Sequence, residues 1–303
     1  MNYKKVVRSQ SLRLKILGLL RAVPDKWMIP IQYRIKTGRW PNLKNPQRFT
    51  EKLQVYKMYY RNPLMHECVD KYEVRKYVTS LGLAHILVKL YGVFGNAKEI
   101  DFAQLPKQFV IKTTDGGGGI NVLICRDKSQ LDIEKTVAKV NSWLGMKDIN
   151  AGREWAYTGI KQSRIIIEEY LDSKPEDGGL IDYKFFCFNG RCEYLYVVAD
   201  RNVGHNGGLG VFTRGFVKTE VKRTDERSLE REVPRPDNYE ELLATAERLA
   251  GNFPEVRVDL YDMEGRILFG ELTFYDGCGY MQFSPDSFDF ELGSKMDCSS
   301  FMP

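Results

Sequence analysis

Near the C-terminal end of the chain, polar side chains of a kind that binds hard cations alternate with apolar ones. Arg257 and Asp259 are separated by one residue, and so are Glu271 and Thr273. Because successive side chains of a strand point to opposite faces, each pair shares a face, and residues 262–265 form a turn that joins two predicted strands into a hairpin. If the two faces coincide, an arginine, two carboxylates and a hydroxyl converge, and oxygen ligands of this kind suit Mg²⁺. The alternative is an amphipathic hairpin whose polar face is solvated.

A second group of residues indicates binding of an anion. Four successive glycines, Gly116, Gly117, Gly118 and Gly119, join two short apolar stretches into a predicted hairpin. Glycine lets backbone N–H groups approach an anion closely, so such a loop can cover phosphates. Lys112, at the end of the preceding strand, would place a positive charge beside a nucleotide phosphate. The spacing matches neither the P-loop nor the dinucleotide fingerprint, and a surface hairpin with a solvated lysine is the alternative.

The composition is typical of a folded, soluble protein whose charge is unevenly distributed. The 303 residues are 43% hydrophobic and 12% aromatic, with a formal net charge of +5. Residues 1–40 contain ten Lys and Arg and one acid, so the rest of the chain is net acidic. This distribution argues against a chain-wide nucleic-acid surface, and no nucleic-acid partner is expected.

The basic N-terminal region contains a stretch of helical periodicity. Residues 11–23 place apolar side chains at helical spacing, interrupted by three basic residues, and are too short and too charged to span a bilayer. Such a helix either rests on an anionic membrane surface or, more commonly, packs on its own protein. Since no secretion signal is evident, we expect a cytoplasmic protein, and contact of residues 1–40 with the inner face of the membrane stays open.

The six cysteines do not indicate a metal site, since none forms a Cys-x-x-Cys pair and only three histidines are present. Cys187 and Cys192 flank Asn189-Gly190, a strong two-residue turn, and therefore face each other across a predicted hairpin. A cross-strand disulfide and two free thiols both fit this spacing. The lack of an export signal favours free thiols.

Between these regions the hydrophobic pattern predicts alternating helices and strands. The predicted helices are residues 46–60, 70–82, 129–144 and 238–250, and the predicted strands are 86–94, 109–112, 120–125, 165–167 and the hairpin 183–198. Residues 202–210 form a predicted glycine-rich loop, and beyond residue 284 the pattern fades.

The order of these features along the chain resembles the ATP-grasp superfamily. The matching elements are an Asp-Lys helix start, a strand-end lysine before a glycine loop, an apolar strand that ends in two glutamates, and the Arg-x-Asp and Glu-x-Thr motifs. The residues concerned are Lys71, Lys112 with the four glycines, Ile167 to Leu171, Arg257 with Asp259, and Glu271 with Thr273.

One branch of that superfamily is more similar still, the TupA-like family named for teichuronopeptide biosynthesis and found with bacterial surface-polysaccharide genes. The resemblance covers roughly residues 45–283. The stretches that support it are Asn45-Pro46, Phe49 to Gln54, Tyr59 to Leu64, Asp70 to Tyr72, Asp182 to Lys184, Asp200-Arg201 and Phe269 to Phe274.

The resemblance implies an α+β protein with the ATP-grasp fold, in which ATP and two Mg²⁺ ions lie between two α+β units. It also implies a division into a basic helical segment 1–45, a pre-ATP-grasp region 46–100, a small subdomain 101–170 with the glycine loop, a large subdomain 171–283 with the metal site, and a C-terminal tail 284–303. Members phosphorylate a carboxylate to an acyl phosphate, which an amine or similar nucleophile then attacks.

Carried over to the matching positions, the resemblance assigns a role to each site residue. The phosphate and adenine contacts fall to Lys71, Lys112, Gly116, Gly117, Gly118, Gly119, Glu168, Glu169 and Leu171. The metal ligands are Asp259, Glu271 and Thr273. Charge on the transferred phosphoryl group is neutralised by Arg257.

Lys184 is the second candidate catalytic residue. It shares a hairpin face with Phe186 and Phe188, and a symmetric hairpin places Leu195 opposite it. A lysine on an apolar face needs a partner, and a phosphate or a carboxylate substrate would serve. Extension of the side chain to solvent is the alternative.

Two features depart from the family pattern and leave the substrate open. Thr273 replaces a common asparagine, and residues 275–279 replace a common Pro-Gly. We expect an ATP-dependent carboxylate–amine ligase that modifies a sugar or uronic-acid carboxylate in surface-polysaccharide biosynthesis. The alternatives are a glycosyltransferase, for which the sequence lacks an Asp-x-Asp metal motif, and a non-catalytic ATP-binding protein.

Overall fold

A computed structural model describes residues 20, 22–116, 121–144, 152–172, 179–200 and 207–302, which form a mixed α+β arrangement, as predicted. The α-helices are α1 Asp25–Thr37, α2 Phe49–Tyr59, α3 Leu64–Cys68, α4 Val74–Ser80, α5 Ile133–Leu144, α6 Tyr239–Ala250 and α7 Ser287–Ser294. The strands are β1 Leu90–Phe94, β2 Phe109–Thr113, β3 Val122–Cys125, β4 Ile165–Glu169, β5 Asp182–Phe188, β6 Arg191–Ala199, β7 Gly208–Thr213, β8 Lys222–Arg223, β9 Val256–Met263, β10 Arg266–Thr273 and β11 Phe283–Ser284.

The strands form two antiparallel sheets and one two-stranded ribbon. Sheet A has the order β1-β4-β2-β3, and sheet B has the order β10-β9-β5-β6-β7. The ribbon pairs β8 with β11. Because β5 and β9 are adjacent in sheet B, the predicted hairpin 183–198 and the C-terminal hairpin belong to one continuous surface.

Strand β4 lies inside sheet A and is apolar on both faces. Ile165, Ile166 and Ile167 are completely buried, as expected for a strand with neighbours on either side. Helix α5 covers one face of the sheet through Val140 and Trp143, which belong to the same apolar cluster. The packing of this strand fixes the position of the two glutamates at its end.

Sheet B has one apolar face and one face that carries charge. Helix α6 covers the apolar face, where the ring of Tyr239 lies 6.2 Å from that of Phe185. On the opposite face, α2 covers one end of the sheet through Phe49, whose ring lies 6.0 Å from that of Phe186. The charged residues of β5, β9 and β10 lie beyond this aromatic cover.

Both predicted hairpins of sheet B turn through two residues of positive φ. Asn189 and Gly190 have φ values of +48° and +78°, and Glu264 and Gly265 have +54° and +86°. Two successive left-handed residues give the tight turn whose twist matches that of the strands. The hairpin predictions are therefore confirmed.

Cys187 and Cys192 are partners across the first hairpin, as predicted, and both are buried and free. The free-thiol prediction is thus confirmed for this pair. The partner predicted for Lys184 is wrong, because a bulge beyond the cysteine pair shifts the register by one residue. Tyr196, rather than Leu195, lies opposite Lys184.

The region beyond residue 284, where the pattern fades, contains helix α7. Apolar residues alternate from Phe288 to Leu292, a spacing that favours a strand, so tertiary contacts decide the helical state. The carboxylate of Asp289 accepts hydrogen bonds from the Thr50 N–H at 3.0 Å and from the Thr50 hydroxyl at 2.7 Å. These bonds attach α7 to the start of α2.

Several element boundaries also differ from the predictions, and strand β1 begins at Leu90, not at residue 86. The Asp70 carboxylate accepts the N–H groups of Tyr72 at 2.8 Å and Glu73 at 2.9 Å, as an N-cap does, but residues 71–73 form a turn and helix α4 begins at Val74. Part of the predicted glycine-rich loop, from Gly208 onward, is the start of β7. Among the described helices, none combines the length and the apolar character needed to cross a lipid bilayer.

Candidate active site

The hairpin β9–β10 brings the four predicted residues to one face. Arg257 lies opposite Thr273, and Asp259 lies opposite Glu271. A bulge at Gly270 sets this register, and a Cβ there would lie 3.0 Å from the Asp259 carbonyl oxygen. The predicted convergence of an arginine, two carboxylates and a hydroxyl is therefore confirmed.

Arg257 is the central cation of this face and is 8% exposed. Its Nε and Nη2 atoms donate to the two oxygens of Asp259, each at 2.7 Å, in a bidentate pair. Nη2 also lies 3.1 Å from the Thr273 hydroxyl and 3.3 Å from Glu271 Oε1, while Nη1 donates to Asp276. The guanidinium thus links the two strands to the loop that follows β10.

Lys184 enters the same cluster from β5, where it lies opposite Asp259. Its ammonium contacts the Asp259 carboxylate and lies 2.7 Å from Asp182 Oδ2. Burial alone would lower the pKa of Lys184, but the two carboxylates outweigh burial and raise it above the usual value. The partners of this buried lysine are carboxylates of its own sheet.

Glu271 differs from its neighbours in being partly exposed, with 37% of its side chain accessible. Burial would raise its pKa, but the charges of Lys71, Lys184 and Arg257 outweigh burial and lower the pKa to about 2. The carboxylate is therefore ionised at neutral pH. The Thr273 hydroxyl lies 3.4 Å from its Oε1 atom.

Lys71 connects the glycine loop to this cluster. Its ammonium lies 3.4 Å from Glu271 Oε2, and its backbone N–H donates to the Thr114 carbonyl at 2.9 Å. Thr114 lies two residues before Gly116, so the start of the loop is fixed close to the carboxylates. Of the four predicted glycines, only Gly116 falls among the described residues, and residues 117–119 lie outside them.

Lys112 and Glu168 form an ion pair on sheet A. The Lys112 ammonium lies 2.6 Å from Glu168 Oε2, and Arg75 lies 3.6 Å from the other oxygen. Glu168 is 6% exposed, so water cannot compensate its charge, and these two cations do so instead. At the strand end, Glu169 donates its N–H to the Lys89 carbonyl at 2.9 Å, and Leu171 lies just beyond the strand.

The donor chemistry of the cluster fits Mg²⁺, which prefers carboxylate and hydroxyl oxygens. Glu271 and Thr273 present such oxygens next to each other. Both oxygens of Asp259 are instead held by Arg257 and Lys184, so a metal would have to replace one of these contacts. Among the residues that the structure describes, no three His, Cys, Asp or Glu side chains are grouped as for a metal ion. The three metal ligands remain a prediction.

Two site residues escaped the sequence analysis as individual candidates. Asp182 alternates with Lys184 on β5, and this period-two spacing was a usable signal. Asp276 lies in the loop after β10, which passes through Gly277, Cys278 and Gly279 with positive φ. No strand pattern predicts the direction of such a loop.

Asp276 extends the cluster toward the β8–β11 ribbon. One of its oxygens accepts from Arg257, and the other lies 3.2 Å from Arg223 Nη1. Arg223 in turn forms a bidentate pair with Asp225, at 2.8 and 2.6 Å. Positively and negatively charged side chains thus alternate from Arg257 to the β8–β11 ribbon. Arg257 is therefore held by Asp259 on one side and by Asp276 on the other.

Glu255 lies immediately before β9, two residues ahead of Arg257, and has no exposed surface. Within the described residues, neither of its carboxylate oxygens has a hydrogen-bond partner. Burial raises the pKa of Glu255 well above its usual value, and the neighbouring charge of Asp276 adds to the effect. The carboxyl group is therefore stabilised in its protonated form.

We expect this carboxyl group to make stability depend on pH. Between the unfolded and folded pKa values the folded chain binds more protons, so the free energy of unfolding falls as pH rises, by up to about 1.4 kcal/mol per pH unit. Glu255→Gln removes this pH dependence. We expect the variant to have a larger free energy of unfolding than the unmodified chain at pH 8, and this difference in stability should vanish near pH 4. Urea unfolding from pH 4 to pH 8, with exposed Glu241→Gln as control, checks this. If the free energy of unfolding changed with pH in the same way in the unmodified chain and in Glu255→Gln, Glu255 would not be the source of the pH dependence.

Residues 51–297 match the model of a protein family described as TupA-like ATPgrasp. Because this match covers most of the chain, the protein belongs to the TupA-like ATP-grasp family. Sequence comparison with curated proteins finds no match.

The chain also matches solved structures, including the following three. D-alanine–D-alanine ligase from Bacillus anthracis is 18% identical, with a TM-score of 0.42 over 69% of this chain and 57% of that one. L-amino acid ligase from Bacillus licheniformis is 16% identical, with a TM-score of 0.43 over 70% and 44%. N5-carboxyaminoimidazole synthetase from Staphylococcus aureus, complexed with ADP, is 14% identical, with a TM-score of 0.41 over 68% and 44%. The chain spans less than two thirds of the length of each.

Proposed function

We propose that the protein is an ATP-dependent, ADP-forming ligase that joins a carboxylate to an amine or similar nucleophile through an acyl phosphate. The observation that carries this proposal is the contact of Lys71 with Glu271 at 3.4 Å, together with the bond from Lys71 to Thr114. Lys71 thus lies between the start of the glycine loop and the carboxylate cluster, which supports a shared site for phosphate and metal. Phosphoryl transfer needs mainly positioning and charge stabilisation, and the cluster supplies both.

In this proposal sheet A binds the nucleotide. Lys112 and Lys71 contact the phosphates, and the loop that begins at Gly116 closes over them. Glu168 accepts from the adenine amino group, and the backbone at Glu169 and Leu171 contacts the ring edge. Since the N–H of Glu169 already donates to Lys89, its carbonyl is the group offered to the ring.

The charged face of sheet B stabilises the reaction. A carboxylate oxygen of the substrate forms a bond to the γ-phosphorus while ADP leaves, and the nucleophile then displaces phosphate from the acyl carbon. Arg257 and Lys184 neutralise the negative charge that develops on the phosphoryl oxygens. Glu271 and Thr273, with Asp259, would hold Mg²⁺, which would offset the negative charge of the phosphate groups.

The proposed substrate is a sugar or uronic-acid carboxylate, and the proposed setting is bacterial surface-polysaccharide assembly in the cytoplasm. This part rests on the genes with which TupA-like proteins occur. A screen of uronic acids and amines for ADP release tests it. We expect ADP only when Mg²⁺ and both substrates are present. AMP as the product, or turnover of a sugar nucleotide without ATP, would contradict the proposal.

Lys112→Met is expected to weaken ATP binding by about tenfold or more, because a charge-assisted phosphate contact is lost and Glu168 loses its nearest cation. Isothermal titration calorimetry with ATP and Mg²⁺ measures this effect. Lys107→Met is the matched control, since Lys107 precedes the same strand and 74% of its side chain is exposed. Equal ATP affinity in both variants would remove Lys112 from the site.

A further inference from the structure

Helix α1 is apolar on two opposite faces. Its inner face is buried through Met28, Ile29 and Tyr33. Its outer face exposes Trp27, Ile31 and Ile35, spaced four residues apart, at 64%, 43% and 45%, and Trp40 just after the helix is 64% exposed. A surface helix normally has one apolar stripe and one polar face, so the second stripe indicates a partner.

The helix is attached firmly enough to present this stripe in a fixed orientation. Arg153 donates to the carbonyl groups of Leu20 and Val23 at 2.6 and 2.7 Å and pairs with Asp25 at 2.6 Å. Further along, the Tyr33 hydroxyl is 2.8 Å from that of Thr50 in α2. The outer stripe is therefore a preformed surface.

The charges around the stripe are basic. Residues 22–44 contain five Lys and Arg, of which Arg39 pairs with Asp286 at 2.8 Å, and a single acid, Asp25, which is paired with Arg153. Lys26 and Arg34 are exposed beside the stripe. The preceding residues 1–21 add six Lys and Arg and no acid. An anionic partner complements this charge.

We propose that the outer face of α1, the stripe Trp27, Ile31 and Ile35 with Trp40, docks on an anionic lipid surface. Exposed tryptophans at the ends of an apolar stripe suit the membrane interface, where the ring is half in the acyl region. A second copy of the chain would bring the same basic residues face to face, because a twofold interface joins identical patches. Charge therefore favours lipid over self-association.

The docked orientation brings the site close to the bilayer. The inner side of α1 contacts the loop that follows Asp276, since the Tyr280 hydroxyl donates to Gln32 at 3.0 Å and the Gln282 amide donates to the Lys36 carbonyl at 3.2 Å. This loop adjoins the charged cluster of sheet B. An acceptor presented at a membrane surface would therefore meet the loop side of the site.

Binding of the full chain to vesicles tests the proposal. With vesicles of phosphatidylcholine containing about 30% phosphatidylglycerol, we expect binding about tenfold or more stronger than with phosphatidylcholine alone. Ile31→Ser/Ile35→Ser is expected to lose about tenfold in affinity. The matched control Ile133→Ser/Val217→Ser, whose residues are 47% and 64% exposed elsewhere, should bind like the unmodified chain.

Quenching of tryptophan fluorescence by brominated lipid identifies the face that binds. We expect strong quenching in the unmodified chain and its loss in Trp27→Phe/Trp40→Phe, since of the other two tryptophans Trp143 is buried and Trp155 packs against the ring of His66 at 4.1 Å. Vesicle binding without quenching would assign the membrane contact to residues 1–21 and overturn the proposal. So would a dimer in the unmodified chain that Ile31→Ser/Ile35→Ser converts to a monomer, because the stripe would then bind a second copy. Equal binding of both double variants would overturn it as well.

Discussion

Glu271→Gln is expected to lower ADP-forming turnover by at least about 10²–10³-fold while the protein stays folded. The carboxylate is ionised, with a pKa lowered to about 2, and it is the accessible acid of the cluster. Glutamine keeps the shape but removes the charge that would hold a metal ion. Because the side chain is partly exposed, the loss of its contact with Lys71 should cost no more than about 1 kcal/mol of stability.

The matched control is Glu264→Gln, which neutralises an exposed glutamate in the turn of the same hairpin. Turnover is measured with the substrate pair that the ADP-release screen identifies, and stability by urea unfolding. Full ADP-forming activity in Glu271→Gln would remove the metal assignment. Loss of activity in both variants would place the effect in the hairpin as a whole.

Arg257→Met is expected to destabilise the fold by about 3–5 kcal/mol, the second large effect. The substitution leaves two buried carboxylates, Asp259 and Asp276, without their shared cation. Lys184 still compensates Asp259, whereas Asp276 keeps only Arg223 at 3.2 Å. A buried charge without a partner destabilises the fold by far more than the intact ion pair stabilises it.

Urea unfolding of Arg257→Met against Arg266→Met checks this expectation. Arg266 lies on the neighbouring strand, has 53% of its side chain exposed and pairs with Glu169 at 3.5 Å, so its loss should cost within about 0.5 kcal/mol. Adding Asp276→Asn to Arg257→Met removes one of the two buried carboxylate charges that lost Arg257, and this should restore part of the stability. Equal stability of the two arginine variants would contradict the buried network.

The sequence predicts the core of the site because a strand has only two faces. Alternation places Arg257 with Asp259 and Glu271 with Thr273, but the turn at Glu264 by itself would pair Asp259 with Gly270, and the bulge at Gly270 brings the two pairs to one face. A bulge also decides the partner of Lys184, where it moves the opposite residue from Leu195 to Tyr196. A bulge inserts one extra residue into one strand of a pair, and the hydrophobic pattern does not specify its position.

Residues outside the strands depend on tertiary contacts. Asp276 reaches Arg257 only because the loop after β10 takes positive φ at three successive residues, of which one is Cys278. Helix α7 forms against a strand-like spacing because its Asp289 accepts both the N–H and the hydroxyl of Thr50. Such contacts join residues more than 200 positions apart or depend on single backbone angles, which local patterns do not specify.

We propose that one nucleotide site lies between sheet A and the charged face of sheet B. The most direct test is a crystal structure of the protein with ADP and Mg²⁺. We expect adenine density against the backbone at Glu169 and Leu171, phosphates between Lys112 and Lys71, and a metal ion on Glu271. ADP bound elsewhere, with Lys71 still on Glu271 and Lys112 still on Glu168, would contradict it.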